Sequence, residues 1–169
     1  MNQFDQKTLE ALAADTGALL LSNGQRLATA ESCTGGWVAQ CLTAIAGSSD
    51  WFERGFVTYS NEAKQEMLGV WPETLEQHGA VSEATAAAMA SGALCHSHAD
   101  WALAITGIAG PGGGSPDKPV GTVCFGWAGP DGRIELETCR FDGGREDVRA
   151  QSVIHALTGL LKRSAQMTA

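Results

Sequence analysis

The segment Ala28–Gly36 constrains the fold more than any other part of the chain. A short β-type run ends there in small hydroxyl residues and a pair of glycines, and an apolar helical pattern follows over Trp37–Ile45. We interpret this order as a strand, a tight turn and a helix N-terminus. Free backbone N–H groups and the positive end of a helix dipole meet at such a turn, where they stabilise an anion or a developing oxyanion.

This turn carries candidate catalytic and binding residues. Ser32 offers an oxygen nucleophile, while Thr34 and Gly35 offer a hydroxyl and backbone N–H groups. A purely structural interpretation remains open, in which the turn is only tight and Thr34 caps the helix. Cys33 is an alternative nucleophile, because a helix N-terminus lowers the pKa of a thiol.

Composition excludes several classes of protein. The chain has 169 residues, 44% of them hydrophobic and 18% charged, which predicts one soluble domain over 1–169. The net charge of −8 disfavours binding to nucleic acid. Apolar runs are too short to span a membrane, and the polar N-terminus is unlike a signal peptide, so we expect a cytoplasmic protein. Five cysteines without a Cys-x-x-Cys motif indicate reduced thiols.

Periodicity predicts alternating helices and strands. Helices are expected over 6–22, 34–46, 60–68 and 82–96 and from Val148 to Leu161. Ser60 and Ser82 are the expected caps, and Trp71-Pro72 is expected to form a loop. Strands are expected over 26–31, 55–59, 101–106, 122–128 and 133–140. The turn at 129–132 joins the last two strands as a hairpin. This order predicts a three-layer α/β/α sandwich with a mixed, mostly parallel sheet.

A second candidate segment is Tyr59–Lys64, which also connects a strand to a helix. A neutral Lys64 is able to take a proton from a serine hydroxyl if burial lowers its pKa. The ends of adjacent parallel strands lie close together, so Ser32 and Lys64 are expected to meet. The structural alternative is that Ser60 caps the helix while Lys64 is solvated.

The third segment is the glycine-rich loop Gly107–Gly121. Gly107, Gly110 and Gly112 allow backbone N–H groups to approach a ligand closely. The loop lacks the Lys of a Walker A motif, and no helix follows it as in a dinucleotide fingerprint. A mobile surface loop is the alternative interpretation.

Weaker candidates lie elsewhere. Cys95, His96 and His98 lie close together in sequence, but no fourth ligand has a suitable spacing, so no metal site is expected there. His78 and His155 are interpreted as structural. Arg145 either pairs with acidic residues on the surface or contacts a phosphate.

Three motifs in this order, Ala30–Gly36, Gly55–Lys64 and Ile105–Gly113, resemble the CinA C-terminal domain family over nearly the whole chain. The resemblance implies a CinA-like fold, a homodimer and hydrolysis of nicotinamide mononucleotide (NMN) to nicotinate mononucleotide and ammonia, without metal or cofactor. This reaction returns the pyridine nucleotide to NAD synthesis. The N-terminal domain of longer CinA proteins is not expected here, so its activity is not carried over.

The resemblance also implies roles for individual residues. Ser32 matches the nucleophile and Lys64 the catalytic lysine, and Tyr59 is expected to orient Lys64 or the substrate. The expected substrate contacts are Ser49, Thr106 and Arg145, with Ser48 and Arg149 as the neighbouring alternatives. Thr34, Gly35, Gly107, Gly110 and Gly112 complete the predicted binding set.

Two other functions stay open at this point. A non-catalytic nucleotide-binding module would need the glycine loop and the arginine, but not a nucleophile with a base. A protein-interaction role linked to competence or DNA damage is suggested only by the family's name.

Overall fold

The computed structural model describes residues 5–167, so the first four residues of the polar N-terminus lie outside it. The elements are α1 Gln6–Ser22, β1 Leu27–Glu31, α2 Trp37–Thr43, a 3-10 turn Ser48–Asp50, β2 Phe52–Val57, α3 Asn61–Leu68, α4 Pro72–His78, α5 Glu83–Cys95, β3 Trp101–Gly107, β4 Thr122–Ala128, β5 Ile134–Arg140 and α6 Arg145–Met167. In this part of the chain, no helix has the length and apolar character that crossing a membrane requires.

The five strands form one sheet in the order β2-β1-β3-β4-β5. β1 pairs in parallel with both β2 and β3, whereas β4 pairs antiparallel with both β3 and β5. Four strands therefore run in one direction and only β4 is reversed, which confirms the predicted mixed sheet. The carboxyl ends of β1, β2 and β3 meet at the same edge, where ligands bind in open α/β sheets.

The two faces of the sheet carry side chains of different size. One face presents large residues such as Leu103, Ile105 and Phe125 to α1, α2 and α6. The opposite face presents alanines such as Ala30 and Ala104 to the helices α3, α4 and α5. Each face buries an apolar surface under a helical layer, so the predicted three-layer α/β/α sandwich is confirmed.

Close packing of α5 sets the position of α3. A Cβ atom on Gly92 of α5 would lie 2.0 Å from the carbonyl oxygen of Leu68, the last residue of α3. Only glycine permits this approach without a shift of backbone. The contact places α3, which carries Lys64, against the alanine face of the sheet.

Three predictions about the helices and strands are wrong, and the last helix, Arg145–Met167, is longer than predicted at both ends. The second helix begins at Trp37 and not at 34, because Gly35 and Gly36 have φ of +59° and +97°. The second strand is Phe52–Val57 and not 55–59. Pro72 opens helix α4 at its first position, where its missing N–H costs nothing, and the predicted loop there is wrong.

Candidate active site

A pocket of about 210 Å³ lies at the carboxyl edge of β1, β2 and β3. It brings together predicted residues from all three motifs, and Arg145 from α6 joins them: Ser32, Cys33, Tyr59, Lys64, Thr106, Gly107 and Arg145. The predicted meeting of Ser32 and Lys64 is therefore confirmed in position. Their roles in a reaction stay a prediction at this point.

Ser32 and Lys64 are in direct contact. Ser32 follows β1, and its N–H donates to the carbonyl of Ile105 at 2.9 Å. Lys64 lies in the first turn of α3, which Ser60 caps by accepting from the N–H of Ala63 at 3.0 Å. The Nζ atom of Lys64 is 3.0 Å from the Oγ atom of Ser32. This distance is within hydrogen-bond reach, as a nucleophile and its base require.

The surroundings of Lys64 favour its neutral form. The residue is 1% exposed, so the alternative of a solvated lysine is wrong. Burial lowers the pKa of the Lys64 amine. Its other hydrogen-bond partner is a neutral backbone carbonyl, that of Thr58 at 2.9 Å, and within residues 5–167 it forms no salt bridge with a carboxylate.

Glu31 organises the turn from the side of helix α2. Its buried carboxylate accepts from Thr34 Oγ1 at 2.7 Å and from the N–H groups of Val38 and Ala39 at 2.9 and 3.1 Å. Burial raises the pKa of Glu31, while these hydrogen bonds oppose the rise. The N-cap residue of α2 is Gly36, and the carboxylate of Glu31 satisfies the first N–H groups of the helix, so the alternative of Thr34 as cap is wrong. Because Thr34 is fully buried against Glu31, its hydroxyl does not face the pocket.

Arg149 holds the same turn from the side of α6. Its guanidinium donates to the carbonyls of Cys33 and Thr34, both at 3.1 Å, and lies over the ring of Trp37 at 5.3 Å. The N–H of Gly35 donates to the carbonyl of Ser32 at 3.0 Å. The N–H groups of Cys33 and Thr34 donate to no other residue in the described part of the chain. The turn thus offers two backbone donors whose peptide planes are held in place.

Arg145 bridges the mouth of the pocket. One guanidinium nitrogen donates to the carbonyl of Gly110 at 2.7 Å and another to the hydroxyl of Tyr59 at 2.9 Å. Tyr59 is 62% exposed, and its hydroxyl contacts Arg145 and not Lys64. Arg145 also lines a neighbouring cavity of about 570 Å³, together with Gly35 and Arg149. Of the two arginines, Arg145 is the one that lines the pocket of Ser32.

Thr106 and Gly107 form part of the pocket wall. The Thr106 hydroxyl donates to the carbonyl of Ala80 at 2.6 Å. A Cβ atom on Gly107 would lie 2.8 Å from Cγ2 of Val123 and 3.1 Å from Sγ of Cys33, so no larger residue fits without a shift. These contacts make Gly107 a packing requirement of the site.

Besides Thr34 and Gly35, three further predicted contacts stand apart from the pocket lining. Gly110 has a φ of +82° in the glycine loop, and its carbonyl accepts a hydrogen bond from Arg145. Gly112 is exposed and does not line the pocket. Ser49 lies in the exposed 3-10 turn before β2, at the opposite end of the sheet from Ser32. The length of β1 separates them, about 16 Å at the rise of a strand. Neither Ser48 nor Ser49 lines the pocket of its own chain.

The cysteine and histidine alternatives also have defined positions. Burial raises the pKa of Cys33 to about 12, which keeps it a thiol and disfavours it as the nucleophile. All five cysteines are free, as predicted. The Nδ1 atom of His96 contacts the carbonyl of Gly92 at 2.8 Å, and Cys95, His96 and His98 form no metal-binding group in the described region.

Sequence reasoning missed several parts of the wall, namely Asn61, Ala80, Val81 and Ala109. Asn61 follows the Ser60 cap directly, so its place in the pocket could have been inferred from the helix start. It also missed the carbonyl of Thr58 and the contact of Arg149 with the turn. A backbone carbonyl has no sequence signature, and Arg149 lies 116 positions from Cys33.

Comparison with known proteins identifies close relatives. A family model described as the CinA C-terminal domain matches residues 9–164. A nicotinamide-nucleotide amidohydrolase PncC from Escherichia coli (strain K12) is 55% identical over 161 residues, covering 95% of this chain and 97% of that protein. Its counterpart from Enterobacter agglomerans is 53% identical over 159 residues, covering 94% and 97%.

A solved structure shares the fold. The competence/damage inducible protein CihA from Agrobacterium tumefaciens superposes with a TM-score of 0.89 at 48% sequence identity. The match covers 96% of this chain and 98% of that one.

Proposed function

The chain belongs to the CinA C-terminal domain family, and we propose that it hydrolyses the carboxamide of NMN to nicotinate mononucleotide and ammonia. The names of the two amidohydrolases that it resembles over nearly their full length support this substrate. The observation that carries the chemistry is the 3.0 Å contact between Ser32 Oγ and the Nζ atom of a buried Lys64.

In the first step, Ser32 attacks the carboxamide carbon. Neutral Lys64 takes the proton of the Ser32 hydroxyl as the new carbon–oxygen bond forms. The lowered pKa of Lys64 makes the neutral amine available, and the carbonyl of Thr58 directs its Nζ atom toward Ser32. The same group then donates this proton to the leaving nitrogen, and ammonia departs.

The tetrahedral intermediate needs donors for its oxyanion. The N–H groups of Cys33 and Thr34 are the candidates, because both lie beside Ser32 and donate to no other residue within the described chain. Arg149 holds the peptide of the Thr34 N–H through the carbonyl of Cys33, so it acts as a positioning residue. The peptide of the Cys33 N–H is held through the carbonyl of Ser32, which accepts from the N–H of Gly35. Water then attacks the acyl ester with Lys64 as base, and the product leaves as a carboxylate while the Ser32 hydroxyl is restored.

The rest of the substrate binds toward the pocket mouth. The phosphate group of NMN is a dianion, and Arg145 offers a planar guanidinium that suits phosphate oxygens. Its partners Tyr59 and Gly110 tie the arginine to the end of β2 and to the glycine loop. Substrate binding through Arg145 therefore brings three separate segments of the chain together around one ligand.

The experiment that tests this function is ammonia release from NMN by the purified protein in EDTA, with Ser32→Ala as the paired variant. We expect release by the wild type alone, and binding of NMN by both proteins. Activity of Ser32→Ala within tenfold of the wild type would refute the mechanism. A wild type that binds NMN without releasing ammonia would instead favour the non-catalytic binding module.

The single domain over 1–169, the homodimer, the cytoplasmic location and the absence of nucleic-acid binding stay predictions. Sedimentation velocity tests the dimer. A gel-shift assay at physiological salt tests nucleic-acid binding, which the net charge of −8 opposes.

A further inference from the structure

Three side chains with different donor atoms converge between β5 and α6. Glu137 and Cys139 alternate on β5 and therefore share a face, and His155 lies on α6 opposite them. The Nε2 atom of His155 is 2.7 Å from Glu137 Oε2 and 3.5 Å from Cys139 Sγ. All three donor atoms lie within 4.8 Å of one another, and among residues 5–167 no other group of three such residues does so.

Neighbouring residues hold this cluster in place. The His155 ring lies between aromatic side chains, with centroid distances of 4.6 Å to Phe125 and 6.0 Å to Phe141. Arg163 donates to the other carboxylate oxygen of Glu137, Oε1, at 2.9 Å. Outer contacts of this kind orient metal ligands in proteins. Here they leave His155 Nε2 directed toward both Glu137 Oε2 and Cys139 Sγ.

We propose that Glu137, Cys139 and His155 bind one zinc-class divalent cation. A thiolate, an imidazole and a carboxylate suit zinc and not magnesium or calcium, which prefer oxygen ligands. Zinc–ligand bonds of about 2.0–2.3 Å place the donors of a tetrahedral site roughly 3.3–3.7 Å apart. The distance between Cys139 and His155 already matches, and the contact of His155 with Glu137 has to open by about 0.6 Å to reach this range.

Charge and access fit the same cation. Zinc binding replaces the Cys139 thiol proton, which leaves to solvent, and the resulting thiolate together with the Glu137 carboxylate balances the charge of the ion. His155 binds as the neutral imidazole through Nε2. All three side chains are partly exposed, so the ion has an entry path and water is able to fill the fourth position.

The cation would join β5, which is an edge strand, to helix α6. None of the three ligands lines the pocket of Ser32, so the role assigned here is structural and independent of the proposed hydrolysis. Zinc should therefore raise the melting temperature without being needed for ammonia release.

Zinc itself is the probe for the test, added to metal-free protein and measured by titration against a chromophoric chelator. We expect one zinc per chain and a rise in Tm of roughly 5–10 °C when free zinc is 100-fold above Kd. Cobalt should give a thiolate-to-metal charge-transfer absorption. Cys139→Ser should lose that absorption and bind zinc on the order of 100-fold more weakly, since a direct ligand matters at least as much as an outer-shell partner.

Two further variants keep the test decisive. His155→Gln retains the thiol and should weaken zinc binding to a similar extent even if Cys139→Ser fails to fold. Cys95→Ser removes an exposed thiol on α5 and should bind zinc as the wild type does. Unchanged zinc affinity in His155→Gln, or loss of binding in Cys95→Ser, would overturn the proposal.

Discussion

Replacing Lys64 by methionine separates its chemical role from its packing role. Methionine keeps a long unbranched stem in a site that is 1% exposed, but removes the amine. If Lys64 is the general base, Lys64→Met should be nearly inactive and still folded.

The effect on stability follows from opposing contributions. The variant loses the hydrogen bonds of Nζ to Ser32 and to Thr58, at 3.0 and 2.9 Å. The carbonyl of Thr58 is left unpaired, which costs about 1–3 kcal/mol. In return, the methionine side chain buries no polar group, so the desolvation cost of the amine is removed. We therefore expect the free energy of unfolding to change by less than about 2 kcal/mol near neutral pH.

The effect on rate is much larger. General-base catalysis contributes about 10²–10⁴-fold, and kcat/KM should fall by at least that much. The wild-type kcat/KM should rise with pH through the lowered pKa of Lys64, at a midpoint below the ordinary value of about 10.4. Between the lowered pKa of the native state and the ordinary pKa of the unfolded chain, Lys64 is protonated only in the unfolded chain. The free energy of unfolding of the wild type therefore also rises with pH in this range. Lys64→Met should show neither rise.

The assay is ammonia release from NMN as a function of pH, with thermal unfolding of the same samples. Lys162→Met, an exposed position on α6, is the matched control and should behave as wild type. If Lys64→Met retained activity within tenfold, or kept the pH profile of the wild type, Lys64 would not be the base.

Further substitutions test the supports of the site. Arg149→Met should lower kcat about 10–100-fold with little change in KM, because it loosens the peptide of the Thr34 N–H, and one oxyanion donor is worth about 10²–10³-fold. Arg149→Lys should recover part of the loss, and steady-state kinetics in which only KM changed would contradict this. Gly92→Ala places a Cβ atom 2.0 Å from the carbonyl of Leu68 and should lower the free energy of unfolding by about 3 kcal/mol, whereas Gly112→Ala, with open space around it, should leave thermal unfolding unchanged. Glu31→Gln weakens the cap of α2 and should cost about 1–2 kcal/mol in the same measurement.

Local patterns predicted the parts of the site that depend on short-range chemistry. The paired glycines after Thr34 mark the turn, and the Ser60 cap marks the start of the helix that carries Lys64. The parallel order of the strands then predicts that Ser32 and Lys64 meet. Each step uses a rule that acts over a few residues or over one strand crossover.

Other parts of the site and the fold could not be predicted from local sequence patterns, because they depend on tertiary packing. Arg149 reaches the Cys33 turn from a helix 116 residues later, and nothing in its local pattern separates it from Arg145. The family resemblance implied a substrate contact for Ser49 but not its place in the fold, which is the far end of the sheet. The dipeptide Trp71-Pro72 predicts a loop by its composition, although proline also starts helices, as Pro72 does here.

The carbonyl of Thr58 has a consequence for how this site tolerates genetic change. Every amino acid, proline included, has a backbone carbonyl. No substitution at position 58 therefore removes the acceptor that holds the Lys64 amine. The orientation of the amine is encoded in the path of the main chain after β2. An insertion or deletion between 57 and 61 should therefore inactivate the protein more surely than any exchange of the Thr58 side chain.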